Sequence, residues 1–222
     1  MNPVFNLPRG TKLLAALILA VHVLDAAMAA LSGLEIKLAL AFRPRQLLLP
    51  GGAGAGNALT YLSLLTYMFL HADLVHLAMN LGLLVAFGAG VERRLGGPRM
   101  LLLYLLSGLL APSGSLLLQA WLPSDAAIVG ASGAVSGLFG ALLRFAFRPR
   151  GPRIGQRRGG SPAGGAALAF VLVNVLFGLI GVDGLGEARG IAWEAHLAGA
   201  LAGWLLFPLL DRPTGQPAGP FG

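Results

Sequence analysis

The 222-residue sequence contains no cysteine, which excludes disulfides, thiolate nucleophiles and cysteine-ligated metals. Charge is scarce as well. Asp, Glu, Lys and Arg make up 11% of the residues, against about 25% in a soluble domain. Hydrophobic residues reach 56% and the mean hydropathy is +0.76, so a soluble fold would lack the polar surface to cover its apolar side chains. A soluble globular enzyme and a disordered chain are both excluded, and a polytopic membrane protein remains. Acids are the scarcest charge: nine Asp and Glu stand against 16 Lys and Arg, a net charge of +7. In a membrane protein that excess reads as basic cytoplasmic loops rather than a nucleic-acid surface.

Long apolar runs are what the chain has in abundance. A helix crossing the bilayer core needs about 20 such residues, and on that measure the sequence predicts an all-α bundle of six spans. They run from about Thr11 to Leu31, Asp73 to Val91, Arg99 to Leu122, Ala131 to Phe147, Ala166 to Gly181 and Trp193 to Leu210. Leu59 to Leu70 reads as an interfacial segment, because Ala58 to Val91 is too long for one upright helix and is interrupted by His71, Asp73 and His76. Residues 1–10 read as an N-terminal segment, 11–210 as one membrane domain, and 211–222 as a tail expected to be disordered.

Six spans put both ends on one side, and the basic residues choose that side. With the N-terminus inside, the cytoplasmic segments hold 12 of the 16 Lys and Arg, including the run Arg148, Arg150, Arg153, Arg157 and Arg158. The outer segments hold six of the nine acids. Both termini are therefore expected in the cytoplasm.

Ionisable groups within a membrane are costly and mark functional sites by default. Three of the four histidines, His71, His76 and His196, fall near the outer ends of spans, and the fourth span begins at that level with Gly130-Ala131-Ser132-Gly133. Taken alone, Ser132 is a packing residue among small neighbours. Gly133 and Gly137 on the fourth span and Gly199 and Gly203 on the sixth, however, form two small faces on the sides of Ser132 and His196. If those faces meet, the histidine comes within hydrogen-bond reach of the serine, as base activation requires. His76 and Asn80, spaced i, i+4, share a face and can both donate to an oxyanion. The other use of His71 and His76 is as a metal pair, for which their i, i+5 spacing is poor. His22 and Asp25 read as a buried structural pair.

The elements Thr66 to His71 with His76 and Asn80, Val91-Glu92-Arg93-Arg94-Leu95-Gly96, Gly130-Ala131-Ser132-Gly133, and Ala195-His196-Leu197-Ala198-Gly199 with Gly203 together resemble the rhomboid intramembrane serine proteases. The resemblance covers all six spans. It implies Ser132 as nucleophile and His196 as general base and then acid. It implies an oxyanion hole from His76, Asn80 and the Ser132 backbone N–H. His71 would be a structural or gating residue of the outer rim, and Glu92 and Gly96 would order the cytoplasmic turn after the second helix. No metal or cofactor is implied; the partners are transmembrane protein substrates and the bilayer, and a bacterial inner membrane is the expected location. Two positions depart from the family pattern. A Trp-Arg pair of the first outer loop is replaced by Leu62 and Ser63, and an aromatic residue that stacks on the catalytic histidine is replaced by Ser136. Another group must then hold the His196 ring, and no Asp or Glu is clearly placed to do so.

Two rival readings remain at this level. One is a rhomboid-like pseudoprotease that binds transmembrane helices without cleaving them. The other is a small transporter, which would want its polar cluster near the midplane rather than toward one end.

Overall fold

The computed structural model describes residues 7–48, 57–119, 121, 126–146, 162–180 and 192–211. In chain order the elements are α1 (Arg9–Ser32), α2 (Ile36–Leu40), α3 (Pro44–Leu48), α4 (Ala58–Thr66), a single 3₁₀ turn (Tyr67–Phe69), α5 (Leu74–Leu95), α6 (Gly97–Leu110), α7 (Pro112–Leu118), α8 (Ser132–Ala146), α9 (Pro162–Ile180) and α10 (Trp193–Leu210). Among the described residues there is no strand, only one isolated bridge between Phe42 and Ile128. The all-α expectation therefore holds. Residues 148–161 of the expected basic loop and the tail after Asp211 lie outside the described residues.

The outside of this bundle is apolar. Leu13, Leu31, Leu74, Leu117 and Trp121 are each at least 70% exposed, more large apolar side chain than water tolerates on a monomer. Four helical stretches are long and apolar enough to cross a membrane: Arg9–Ser32, Leu74–Leu95, Gly97–Leu118 and Trp193–Leu210. Ala58–Phe69 and Ser132–Ala146 are shorter apolar helical stretches.

The centre is α8. Its Gly133, Ala134, Val135, Ser136, Gly137, Leu138, Gly140 and Ala141 are all buried, with α5, α6 and α10 packed around it. Its contact with α10 is backbone against backbone. A Cβ added at Gly199 would strike the Gly133 carbonyl, one at Gly203 the Gly137 carbonyl, and one at Gly140 the Ala200 carbonyl. Small residues are what allow helices to approach this closely.

The third expected span is interrupted. It starts at Gly97, breaks at Ala111 and ends at Leu118 rather than Leu122. Pro112 causes the break, because it has no N–H to donate to the Gly108 carbonyl one turn back. The Tyr67 hydroxyl donates to that carbonyl instead, at 2.7 Å. The Tyr104 hydroxyl on α6 donates in turn to the Met68 carbonyl at 3.1 Å. The 3₁₀ turn and α6 are thus locked by two reciprocal tyrosine bonds below the site.

The described residues between α1 and α5 are tied down without the Trp-Arg pair. Thr66 Oγ1 donates to the Leu40 carbonyl at 2.9 Å. Phe42 and Ile128 exchange both backbone bonds, at 3.0 and 2.7 Å, and the fully buried Phe42 ring packs on Tyr67.

At the opposite end, Gly96 ends α5 with φ of 81° and donates its N–H to the Glu92 carbonyl at 2.8 Å. The Glu92 carboxylate is engaged elsewhere. It reaches α1, where it accepts from Gly10 N at 2.7 Å, Thr11 N at 2.6 Å and Thr11 Oγ1 at 2.7 Å. The first turn of α1 has no side-chain cap of its own, so a carboxylate from α5 satisfies its orphan donors at the positive end of the helix dipole. Arg94 makes a two-pronged pair with Asp211 at 3.0 and 3.2 Å and lies over the Phe145 ring, which closes the α10 end of the bundle.

The expected His22–Asp25 pair is not formed. Asp25 accepts the Lys37 backbone N–H at 3.0 Å and faces the Lys37 ammonium at 4.0 Å. It serves the first turn of α2, which otherwise lacks a side-chain cap. His22 Nδ1 has no protein partner among the described residues.

Candidate active site

Ser132 is the first residue of α8 and His196 lies in the first turn of α10. His196 Nε2 is 2.7 Å from Ser132 Oγ. The glycine contacts between α8 and α10 produce this distance, since Gly133 and Gly199 meet directly below the pair. Both residues are only partly buried. As the first helical residue, Ser132 has a backbone N–H that the helix does not use.

The turn before Ser132 requires glycine at 130. Gly130 has φ of 120°, a conformation that L side chains avoid. A Cβ there would also lie 2.8 Å from His76 Cε1 and Nε2. The His76 ring therefore rests against this turn, beside Ser132. Gly130 N donates to the Tyr67 carbonyl at 2.9 Å, which ties the turn to the 3₁₀ segment.

His71 is fully buried. Its Nε2 accepts from Ala131 N at 3.4 Å, a long bond, and its ring meets His76 edge-on at 5.2 Å between centroids. Burial, with His76 alongside, pushes the His71 imidazole down to about 4, so it stays neutral and can accept. A lone pair facing Ala131 N–H is not free for a metal. Among the described residues no group of three or more His, Cys, Asp or Glu could hold a metal ion.

Asn80 is buried one turn beyond His76, and its Nδ2 donates to the His76 carbonyl at 2.9 Å. That bond uses one amide hydrogen, and Asn80 Oδ1 is buried with no protein partner among the described residues. Glu194, the acid nearest His196 in sequence, accepts from Ser115 Oγ at 2.7 Å instead of orienting the histidine.

The group that meets the other side of His196 is one the sequence reading missed. Asn174 on α9 places Oδ1 2.7 Å from His196 Nδ1. The available signal was its isolation: it is the only polar side chain between Pro162 and Ile180.

These features define a polytopic helical membrane protein with a serine and a histidine in direct contact at the ends of two tightly packed helices. The Rhomboid domain model matches residues 58–212, and the chain belongs to the rhomboid family. It is similar to RHOMBOID-like protein 4 of Arabidopsis thaliana, 38% identical over 152 residues, which are 68% of this chain and 34% of that protein. It is 32% identical over 159 residues to the rhomboid protease GluP of Bacillus subtilis, covering 72% of this chain and 27% of that one. RHOMBOID-like protein 6, mitochondrial, of Arabidopsis thaliana is 42% identical over 80 residues, 36% of this chain and 25% of that protein. The chain thus spans between a quarter and about a third of the length of these relatives.

Proposed function

We propose that this chain is an intramembrane serine endopeptidase that hydrolyses peptide bonds in or near the transmembrane segments of membrane proteins. The observation that carries this reading is the 2.7 Å contact between His196 Nε2 and Ser132 Oγ, within hydrogen-bond reach as nucleophile activation requires.

The reaction follows from the groups at hand. Ser132 Oγ attacks the scissile carbonyl carbon while His196 Nε2 takes its proton. The oxyanion receives the Ser132 N–H with the side chains of His76 and Asn80. His196 then gives its proton to the leaving amine, and water, deprotonated by the same ring, cleaves the acyl-enzyme. Water must reach this point. The 15 residues of α8 extend about 22 Å at 1.5 Å per residue, short of the ~30 Å core, and a helix that falls short at its Ser132 end would leave the serine within reach of water. Unsatisfied backbone in lipid costs several kcal/mol per group, so substrates with small or helix-breaking residues near the cleaved bond are favoured.

A fluorophosphonate probe tests the reading. The purified protein in detergent should be labelled, and Ser132→Ala should not. Absence of labelling, with binding of single-span proteins intact, would favour a non-catalytic helix-binding role.

The oxyanion assignment has its own test. Asn80→Ala should lower kcat more than it raises KM, because the donor matters once charge has developed. One such donor is worth about 3 kcal/mol, roughly a hundredfold, less where several donors share the load. A purely structural helix contact is worth about 0.6 kcal/mol in a membrane and would lower the melting temperature at near-normal kcat. Full activity with reduced stability takes Asn80 off the list.

The membrane domain is assigned to residues 11–210 of a bacterial inner-membrane protein, with both ends cytoplasmic. Five Arg between 148 and 158 are costly to translocate. A cysteine introduced in this loop, in a chain that has none, should resist impermeant thiol reagents in intact cells; ready labelling from outside would reverse the topology.

A further inference from the structure

The polarity of one hydrogen-bond chain is fixed by its far end. Asn174 is buried on α9, its Nδ2 lies 2.8 Å from the Phe170 carbonyl and its Oδ1 2.7 Å from His196 Nδ1. A carbonyl can only accept, so the amide nitrogen must face Phe170 and the amide oxygen must face His196. An amide oxygen also only accepts, so Nδ1 must carry the imidazole proton. In a neutral ring the lone pair then lies on Nε2, the atom 2.7 Å from Ser132 Oγ. We infer that Asn174 is the positioning residue of the general base: it fixes His196 in the tautomer that can accept the Ser132 proton and holds the ring toward it. This inference rests on the proposed Ser132–His196 dyad.

The opposite tautomer would present N–H to the serine and could not act as a base. During attack the proton moves from Ser132 Oγ to His196 Nε2, the ring becomes an imidazolium, and the Nδ1–H bond to Asn174 becomes charge-assisted and stronger. Asn174 neither takes nor gives a proton. The role that a carboxylate fills in a soluble triad falls here to a neutral amide, which suits a buried position where an unpaired charge would be costly. It also supplies the group that the missing aromatic at Ser136 left wanting. Glu194, the only acid in the first turn of α10, is engaged by Ser115, and His76 approaches from α5 without replacing the bond at Nδ1.

The test combines kinetics with the protonation of the ring. Asn174→Leu keeps the volume and removes the acceptor. Its kcat should fall about tenfold, the value of one neutral hydrogen bond, with KM nearly unchanged. Asn174→Asp, whose neutral carboxyl keeps both the acceptor oxygen for Nδ1–H and an O–H donor for the Phe170 carbonyl, should regain most of the loss. Nitrogen NMR of histidine-labelled resting protein, with His196 identified by its absence in His196→Gln, should show a protonated Nδ1 in the wild type and a tautomer mixture in Asn174→Leu. Wild-type kcat in Asn174→Leu, or an unchanged His196 tautomer with only a lower melting temperature, would overturn the inference and leave a helix–helix contact. Ser132→Ala in the same assay separates the two readings: if it still cleaves, the dyad itself fails, whatever the tautomer shows.

Discussion

Ser132→Ala and His196→Ala will each abolish cleavage of a single-span substrate, and the double variant will be no slower than either single one. The two atoms that would exchange the proton are 2.7 Å apart. Without the base, the serine hydroxyl keeps its proton and is a poor nucleophile; without the serine, the base has nothing to activate. Groups that act as one unit are strongly non-additive, and in a soluble serine protease the loss of either partner costs on the order of a millionfold in kcat. What remains should be the small rate that binding and oxyanion donors supply on their own. The measurement is turnover of a panel of single-span substrates by purified protein, with thermal unfolding of each variant as the control. Among the described residues Ser132 Oγ bonds to His196 and to no other side chain, so the serine variant should melt near the wild type. Normal turnover by either single variant, or losses that add in the double variant, would remove the dyad.

Much of this arrangement was legible because it depends on local pattern. Apolar length gave the helices, and Trp193–Leu210 begins and ends where the sequence places it. The small faces of Gly133, Gly137, Gly199 and Gly203 predicted which two helices touch, and that contact brings Ser132 to His196. The features that escaped depend on helix rotation, which periodicity in an all-apolar helix does not set. Asn174 is the clearest case. With apolar residues on every side of α9, nothing marks which face turns inward, and a search for a carboxylate passes over an amide. The same holds for Asp25, whose partner Lys37 lies beyond the end of its own helix, so an i, i+3 neighbour looked nearer than it is. Pro112 lies inside the stretch read as one continuous third span, and the Tyr67 hydroxyl that takes up the carbonyl it orphans is 41 residues from that carbonyl along the chain.

The closeness of α8 and α10 gives the second large effect. Gly199→Ala adds one methyl group to a helix, and on propensity alone that should stabilise by about 1 kcal/mol. At this position the sign reverses. The new Cβ would meet the Gly133 carbonyl oxygen and stand 3.0 Å from its carbon, with Ala111 Cβ at 3.4 Å on the other side. A backbone carbonyl within a buried helix cannot rotate away as a side-chain tip could, so the two helices must part by about 1 Å. Overpacking of this kind costs about 1–3 kcal/mol. The functional cost is larger than the structural one, because Gly199 lies one turn from His196 and Gly133 adjoins Ser132. Separating the helices here opens the Ser132–His196 bond, and a misplacement of about 1 Å is worth about a hundredfold in rate. The folded fraction of Gly199→Ala should therefore show a kcat down by about that factor. Gly82→Ala on α5 is the matched control: it is the same chemical change in a helix, with nothing within 4 Å of the added carbon, and it should leave activity unchanged and stability equal or higher. Parallel thermal unfolding and substrate turnover of the two variants decide the matter. Equal activity and equal stability in Gly199→Ala and Gly82→Ala would mean that the contact between α8 and α10 does not set the geometry of the serine and histidine.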